Sequence, residues 1–276
     1  FCWGPKLARE GVKRGWFSTT TLRVTGSPRF DFYVRPWQQV ATQLNPWHDR
    51  PSQPLILITT NFSMTNPRYQ TPAQELATMV NHIGFDRQVI QTRAEREHHN
   101  LSCFCHLATR LSHSYTQANI LLRPHPFERI ETYLERIPPS DNLHVLCEGS
   151  IDGWLLRSCV VIQLSSSVAV EAGILKCPVL SPGWMEAGVT IPGLGEMVTS
   201  CASEDELVSL AGQAISGNFQ PSPELHRKTV EWVRDWFGEI DGQAAHRLAA
   251  EIAEVATGCA SSKVHWRELL YFTNCL

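Results

Sequence analysis

His125 stands in the run Arg123-Pro124-His125-Pro126, an imidazole between two prolines with a guanidinium two residues before it. Each proline fixes its own φ and pushes the residue ahead of it toward extended backbone. The ring is therefore displayed from a stiff segment and not from a helix face. Such a group can donate a hydrogen bond to a phosphate oxygen or protonate a leaving group. The plainer alternative is a histidine that satisfies a loop carbonyl. Farther on, Ser165-Ser166-Ser167 precedes a helical pattern over Val168–Leu175. Hydroxyls and unpaired N–H groups at a helix start suit an anion, although ordinary capping would account for one of the three. Glu171 lies one turn further in, where a carboxylate can bind ribose hydroxyls or simply face water. In Glu148-Gly149-Ser150, Gly149 admits close approach of a ligand to the backbone, or serves a turn. His125 and Arg123 are the catalytic candidates. Ser165, Ser166, Ser167, Glu171, Gly149 and Ser150 are the candidates for holding a phosphate-bearing ligand.

These residues need a scaffold that brings them to one edge. Apolar runs at Leu55–Thr59, Ile120–Leu122, Leu143–Leu146, Val160–Leu164 and Pro178–Leu180 lack polar alternation, as in strands covered on both faces. Helical or turn-like segments separate them, which predicts a parallel sheet with right-handed crossovers. In an open sheet of that kind ligands bind at the carboxyl ends of the strands. The candidates all follow such ends, as does the polar run Thr60-Asn61-Phe62-Ser63.

Between the strands, Thr71-Pro72-Ala73-Gln74 is a capping box that opens a helix to about His82. A longer helix is expected from about Arg93 to His113, with Leu101, Phe104, Cys105, Ala108 and Leu111 as its buried stripe. Pro126-Phe127 should begin another helix, ending before Pro138. Ser203 with Glu206 caps one that runs to about Ser216. Ser222, Pro223 and Gly238 bracket the next. The last runs to Gly258, with Leu248, Ala249, Ile252 and Val255 on one face. Nearer the start, Phe1–Gly15 reads as a helix and Leu22–Val24 as a short strand before a turn at Gly26-Ser27-Pro28. The proline-rich stretch Arg35–Pro54 reads as a linker with one short helix. The opening FCWGPKLARE has the pattern of a helix interior, and the chain is expected to continue a longer N-terminal part. The expected division is residues 1–50 as the end of an N-terminal domain with its linker, 51–218 as a Rossmann-like domain, and 219–276 as C-terminal helices packing across the two.

Composition narrows the class. The 276 residues are 43% hydrophobic and 18% charged, with a net charge of −3, which fits a globular protein and gives no basic surface for nucleic acid. No apolar run approaches the ~20 residues of a membrane-spanning helix. The nine cysteines are scattered through apolar runs (Cys147, Cys159, Cys177) and read as free thiols of a reducing compartment. His98, His99, His106 and His113, with Cys103 and Cys105, invite a metal reading. The seven-residue spacing of His99, His106 and His113 places them opposite the apolar stripe instead, so no metal is expected. G-x-G-x-x-G, G-x-x-x-x-G-K-[ST] and G-x-S-x-G are all missing, which removes support for an NAD enzyme, a P-loop kinase or a serine hydrolase.

The run LLRPHPFE, a turn containing Gly149-Ser150 and the run VVIQLSSSVAVEAGILKCPVLSP together resemble the C-terminal half of bacterial surface-carbohydrate biosynthesis proteins. These are GT-B-type glycosyltransferases related to capsule 3-deoxy-manno-octulosonic acid transferases, polysialyltransferases and CDP-glycerol glycerophosphotransferases. The segment ending VTGSPRFD is similar to the end of their N-terminal domain, and the likeness covers roughly residues 1–215. It implies an α/β GT-B-like fold: a Rossmann-type parallel sheet flanked by helices, with the tail end of a truncated N-terminal domain. It implies a transferase that builds a capsule or other polysaccharide from a CMP- or CDP-linked donor. That donor is a substrate, and no cofactor is expected. On that likeness His125 meets the donor phosphate, Ser166 and Ser167 hold it, and Glu171 binds the ribose. Arg123 adds positive charge, while Gly149 and Ser150 lie beside the base. The catalytic base would come from the N-terminal domain, and no motif for it occurs here. The implied partners are the nucleotide-sugar donor and a glycan or lipid-linked acceptor, in the cytoplasm at the inner face of the membrane with peripheral association. A nucleotide-sugar epimerase of the same architecture and a non-catalytic nucleotide-binding module are the competing readings.

Overall fold

The five apolar runs become strands, and a sixth joins them. A computed structural model describes residues 1–49, 53–187 and 193–259. Along the chain come α1 (Pro5–Lys13), a 3₁₀ turn (Pro28–Tyr33), α2 (Trp37–Gln43), β1 (Leu55–Thr59), α3 (Pro72–Asn81) and α4 (Arg87–Ser114). Next are β2 (Asn119–Arg123), α5 (Glu131–Arg136), β3 (Leu143–Val145), α6 (Ile151–Leu155), β4 (Val160–Ile162) and α7 (Val168–Ile174). The remainder is β5 (Val179–Pro182), a 3₁₀ turn (Leu194–Met197), β6 (Thr199–Cys201), α8 (Glu204–Ile215), α9 (Pro223–Phe237) and α10 (Ala244–Cys259). Chain contacts divide the molecule into Arg35–Trp232 and a second unit made of Phe1–Val34 with the chain from Val233 onward. The proline-rich segment with α2 therefore belongs with the sheet.

In the larger unit every strand pairing is parallel and the order is β3-β2-β1-β4-β5-β6. This is the doubly wound arrangement, so the fold is α/β and Rossmann-like. Strand order reverses direction between β1 and β4, and the crevice at their carboxyl ends is the expected ligand position. Side-chain alternation divides the core in two. Ile56, Ile58, Ile120, Leu122, Val160 and Ile162 pack with Leu101, Phe104 and Leu111 of α4, Tyr133 of α5 and Leu207 of α8. Their neighbours Leu57, Leu121 and Val161 are equally buried but lie outside that cluster, on the face opposite. There Trp154 of α6 and Ala169 of α7 are fully buried, and α6 packs on both α2 and α7.

Local chemistry sets most helix ends. The capping box at Thr71 is complete, with Gln74 N–H donating to the threonine hydroxyl and the Gln74 side chain accepting from Thr71 N–H at 2.9 Å. Ser203 accepts from Glu206 N–H, and Ser222 from Leu225 N–H at 3.1 Å. The smaller unit is tied by Asp31, whose carboxylate accepts the Ala244 and Ala245 N–H groups (3.0 and 2.9 Å) at the start of α10. Phe237 stacks there on Trp3 and meets Phe30 edge-on.

Four expectations need correction. Leu22–Val24 is not a strand, since only an isolated bridge joins Val24 to Cys2. The helix expected at Pro126 starts at Glu131, because residues just ahead of it are occupied by a bridge between Pro67 and Glu128. The α10 face is not a buried stripe: Ile252 and Val255 are about half exposed. The long helix begins at Arg87 instead of Arg93, with the Asp86 carboxylate capping Val89 N–H. Strand β6, Thr-Ser-Cys, was not expected at all. The tail beyond Cys259 lies outside the described residues.

Candidate functional site

Two groups of residues form at the carboxyl edge of the sheet, one on each side of β1. Thr59 of β1 pairs with Arg123 of β2, so the loops after both strands leave at the same level. These loops are sewn together. Asn66 Nδ2 donates to Arg129 O (2.9 Å), Arg129 N–H returns to Asn66 O (3.2 Å), and Arg68 N–H donates to Phe127 O (2.8 Å). Beneath the seam lies Glu128, 1% exposed. Its carboxylate accepts from Thr60 Oγ1 at 2.9 Å, His125 N–H at 3.0 Å and the Tyr133 hydroxyl. Burial raises its pKa, against the pull of those bonds.

That carboxylate sets the backbone of His125, and the next turn sets its ring. Phe127 N–H donates to His125 Nδ1 at 3.3 Å, which assigns the neutral imidazole's own proton to Nε2. Burial, and secondarily the Arg123 charge, lower its pKa, so the ring is neutral at pH 7. It is therefore built as a neutral N–H donor. Among the described residues neither ring nitrogen is bonded to a loop carbonyl; the ring bond runs from the Phe127 N–H to Nδ1. Arg123 donates to Gly149 O (2.7 Å) and Cys147 O (3.3 Å), which binds the turn after β3 to this group.

Gly149 and Ser150 have structural roles that account for them. Gly149 sits at φ +75°, and a Cβ there would approach Pro46 Cδ to 2.6 Å. Ser150 accepts from Gly153 N–H and caps α6. These are turn and cap residues at the rim of the edge.

The second group follows β4. Ser166 is committed to its own loop: its N–H donates to Gln163 Oε1 (2.6 Å) and its hydroxyl accepts from Val168 N–H (3.3 Å). Ser167 makes no capping bond, and among the described residues the hydroxyls of Ser165 and Ser167 have no partner. Glu171 is 3% exposed, so the water-facing alternative is excluded. Ser165 lines a narrow cleft at the strand-order reversal with Asn61, Arg93, Arg96, Glu97 and Asn100. The two arginines come from the first turns of α4, which overhang the sheet edge. Arg93 Nε donates to Glu97 Oε1 (2.7 Å), and Glu97 Oε2 accepts Met64 N–H (2.8 Å), fixing the loop after β1 to the helix.

The structure thus brings Arg123, His125, Gly149 and Ser150 into one group and Ser165–Ser167 with Glu171 into another. Strands β2 and β4 flank β1, two strand spacings or about 10 Å apart. No hydrogen bond joins the groups among the described residues, so a ligand meeting both would lie across the end of β1. Glu128, Arg93 and Arg96 were not singled out by sequence, whereas Asn61 lies in the polar run that follows β1. Only the i, i+4 spacing of Arg93 and Glu97 was visible, and it reads as an ordinary surface pair. Among the described residues no cluster of metal-binding side chains is assembled, and His98, His99, His106 and His113 are exposed. No described helix is long and apolar enough to cross a membrane.

No family model matches the sequence, and no curated protein matches it either. Solved structures do match in fold. The wall teichoic acid polymerase TagF superposes with a TM-score of 0.53 at 14% identity, over 94% of this chain and 58% of that one. A variant of it soaked with CDPG gives 0.52 at 14% identity, over 94% and 57%. A putative UDP-N-acetylglucosamine 2-epimerase from Listeria monocytogenes gives 0.51 at 17%, over 92% and 59%. These neighbours have the GT-B fold, and the chain spans less than three fifths of their length.

Proposed function

We propose that the chain is the nucleotide-binding part of a GT-B-type transferase, moving a sugar or glycerophosphate from a CMP- or CDP-linked donor during surface-polysaccharide synthesis. The observation that carries this is His125: a neutral imidazole, its proton on Nε2, fixed at a strand end by a buried carboxylate. In sugar transfer the acceptor oxygen, giving its proton to a base, bonds to the anomeric carbon as the bond from that carbon to the phosphate oxygen breaks and the electron pair stays on that oxygen. In glycerophosphate transfer the acceptor oxygen, likewise deprotonated, bonds to phosphorus and the electron pair leaves on the nucleotide's phosphate. His125 Nε2–H donates to the phosphate as its charge grows. The Ser165 and Ser167 hydroxyls supply further donors from across β1, with Ser166 shaping their loop. Arg123, anchored on the turn after β3, adds positive potential. Preorganised donors of this kind stabilise a leaving phosphate without reorganising. Glu171 takes the ribose hydroxyls, and Gly149 with Ser150 borders the base. Enzyme neighbours of both transferase and epimerase type support a nucleotide-activated substrate.

An epimerase reading is favoured by the comparable superposition on the Listeria protein. It differs in needing no acceptor. The test follows consumption of CDP-glycerol, a CMP-linked sugar and UDP-N-acetylglucosamine, each with and without a glycan acceptor, by the full-length protein. His125→Ala should lower turnover about a hundredfold, the loss of one such donor, while the melting temperature stays within a degree or two. Undiminished turnover would remove His125 from the chemistry. Conversion of donor alone would make the protein an epimerase. A thermal-shift series with CMP, CDP, UDP and GDP reports the preferred nucleotide, because a ligand bound only by the folded state raises stability.

A further inference from the structure

Beside His125 the seam between the two loops carries aromatic rings that the core does not use. Tyr69 is 74% exposed and Phe127 59% exposed. Their rings meet edge to face with centroids 6.2 Å apart, and Phe127 lies 5.3 Å from the His125 ring. Arg68 stands over Tyr69 at 5.5 Å and donates to Pro126 O at 3.4 Å. Isolated exposed aromatics need no explanation. These two are different, because the Pro67–Glu128 bridge, the Arg68 N–H bond to Phe127 O and the Asn66–Arg129 pair fix their backbones against one another. A pair of exposed rings on backbones fixed against one another thus stands at the candidate site.

Position indicates what it would receive. On the reading above, the residues for ribose and base open α6 and α7, which cover one face of the sheet. Tyr69 and Phe127 hang from loops that lead into α3, α4 and α5, and the last two pack on the other face. Between them lies His125. A donor with its phosphate at His125 and its nucleoside toward α6 and α7 would direct its transferred group, and the acceptor, toward the two rings. A saccharide ring suits them, since its C–H face meets the negative face of an aromatic ring and buries apolar surface.

We infer that Tyr69 and Phe127 form a stacking platform for a saccharide ring on the acceptor side of His125, with Arg68 fixing Tyr69. The inference rests on the nucleotide reading, and its test separates the two. Binding of CMP and CDP, and of chitotetraose, maltotetraose and tetrameric oligosialic acid in the presence of the better nucleotide, is measured by calorimetry and saturation-transfer NMR on the full-length protein. At least one saccharide should bind, and Tyr69→Ala and Phe127→Ala should each weaken it about three- to tenfold. Nucleotide affinity should be unchanged, and Tyr69→Phe should restore the saccharide. Alanine leaves the Phe127 N–H in place, so the His125 ring keeps its bond. Failure of all three saccharides to bind, or equal binding by the variants, overturns the platform while nucleotide binding stands. A variant that loses nucleotide instead makes the rings a base site and overturns it too. Failure of the wild type to bind any nucleotide is the separate defeat of the functional reading.

Discussion

The two sides of β1 carry the same kind of residue under opposite conditions. On the β2 side the groups around Glu128 are consumed: it takes donors from Thr60, His125 and Tyr133, and Asn66 spans both loops. On the β4 side, Ser166 alone is bonded into its loop, while Ser165 and Ser167 keep their hydroxyls. A buried network that is fully satisfied holds one geometry, whereas uncommitted hydroxyls can turn toward whatever arrives. The comparison assigns precision to the histidine side and adaptability to the serine side.

The sharpest way to break that contrast is Glu128→Ala. It leaves the His125 N–H without its acceptor and the Thr60 and Tyr133 hydroxyls with only each other (3.1 Å), a loss of about 3–5 kcal/mol. Urea denaturation should show this as a lower midpoint at constant slope. Glu128→Gln, which keeps one acceptor oxygen, should lose about half as much. If Glu128→Ala unfolds at the wild-type midpoint, the β2 side is no more rigid than the β4 side.

Glu128 also marks the limit of what sequence could tell. Strands β1, β2 and β4 were legible because their apolar runs admit no other reading, and the stripe from Leu101 to Leu111 because α4 buries one face from there on. Its first turns, with Arg93 and Arg96, bury little and left no periodic signal. Strand β6 is three residues of Thr-Ser-Cys and takes its identity from pairing with β5. The prolines around His125 announced a stiff display. What holds it is a contact between Thr60 and Glu128, 68 residues apart, which no local spacing encodes. The serine run was legible as a polar helix start, but not which serine would be spent on its own loop.

That division of the serines gives the next test. Ser166→Ala removes a bond to Val168 N–H and should cost about 1 kcal/mol of stability. Ser165→Ala and Ser167→Ala should leave stability within about 0.5 kcal/mol and weaken nucleotide binding several-fold, read by titration with the preferred nucleotide. Should Ser166→Ala be the one that loses nucleotide without losing stability, the assignments are reversed and the β4 side is the preset one.

The smallest effect concerns protons. Burial lowers the His125 pKa, so the unfolded chain takes up its proton first as pH falls below the usual histidine value near 6.5. Between that value and the lower folded one, the unfolded state binds more protons and stability declines. Below the folded pKa the loss is complete and constant. His125→Asn removes this group, so the wild type should lose unfolding free energy relative to the variant as pH drops from 7 toward 5. Nucleotide affinity should hold level down through pH 6.5, because the neutral Nε2–H donor persists there. A wild type that gains on the variant in acid would mean that a nearby carboxylate favours the charged ring. The Phe127 N–H would then have no lone pair to meet at Nδ1, and the neutral-donor role would be withdrawn from the β2 side.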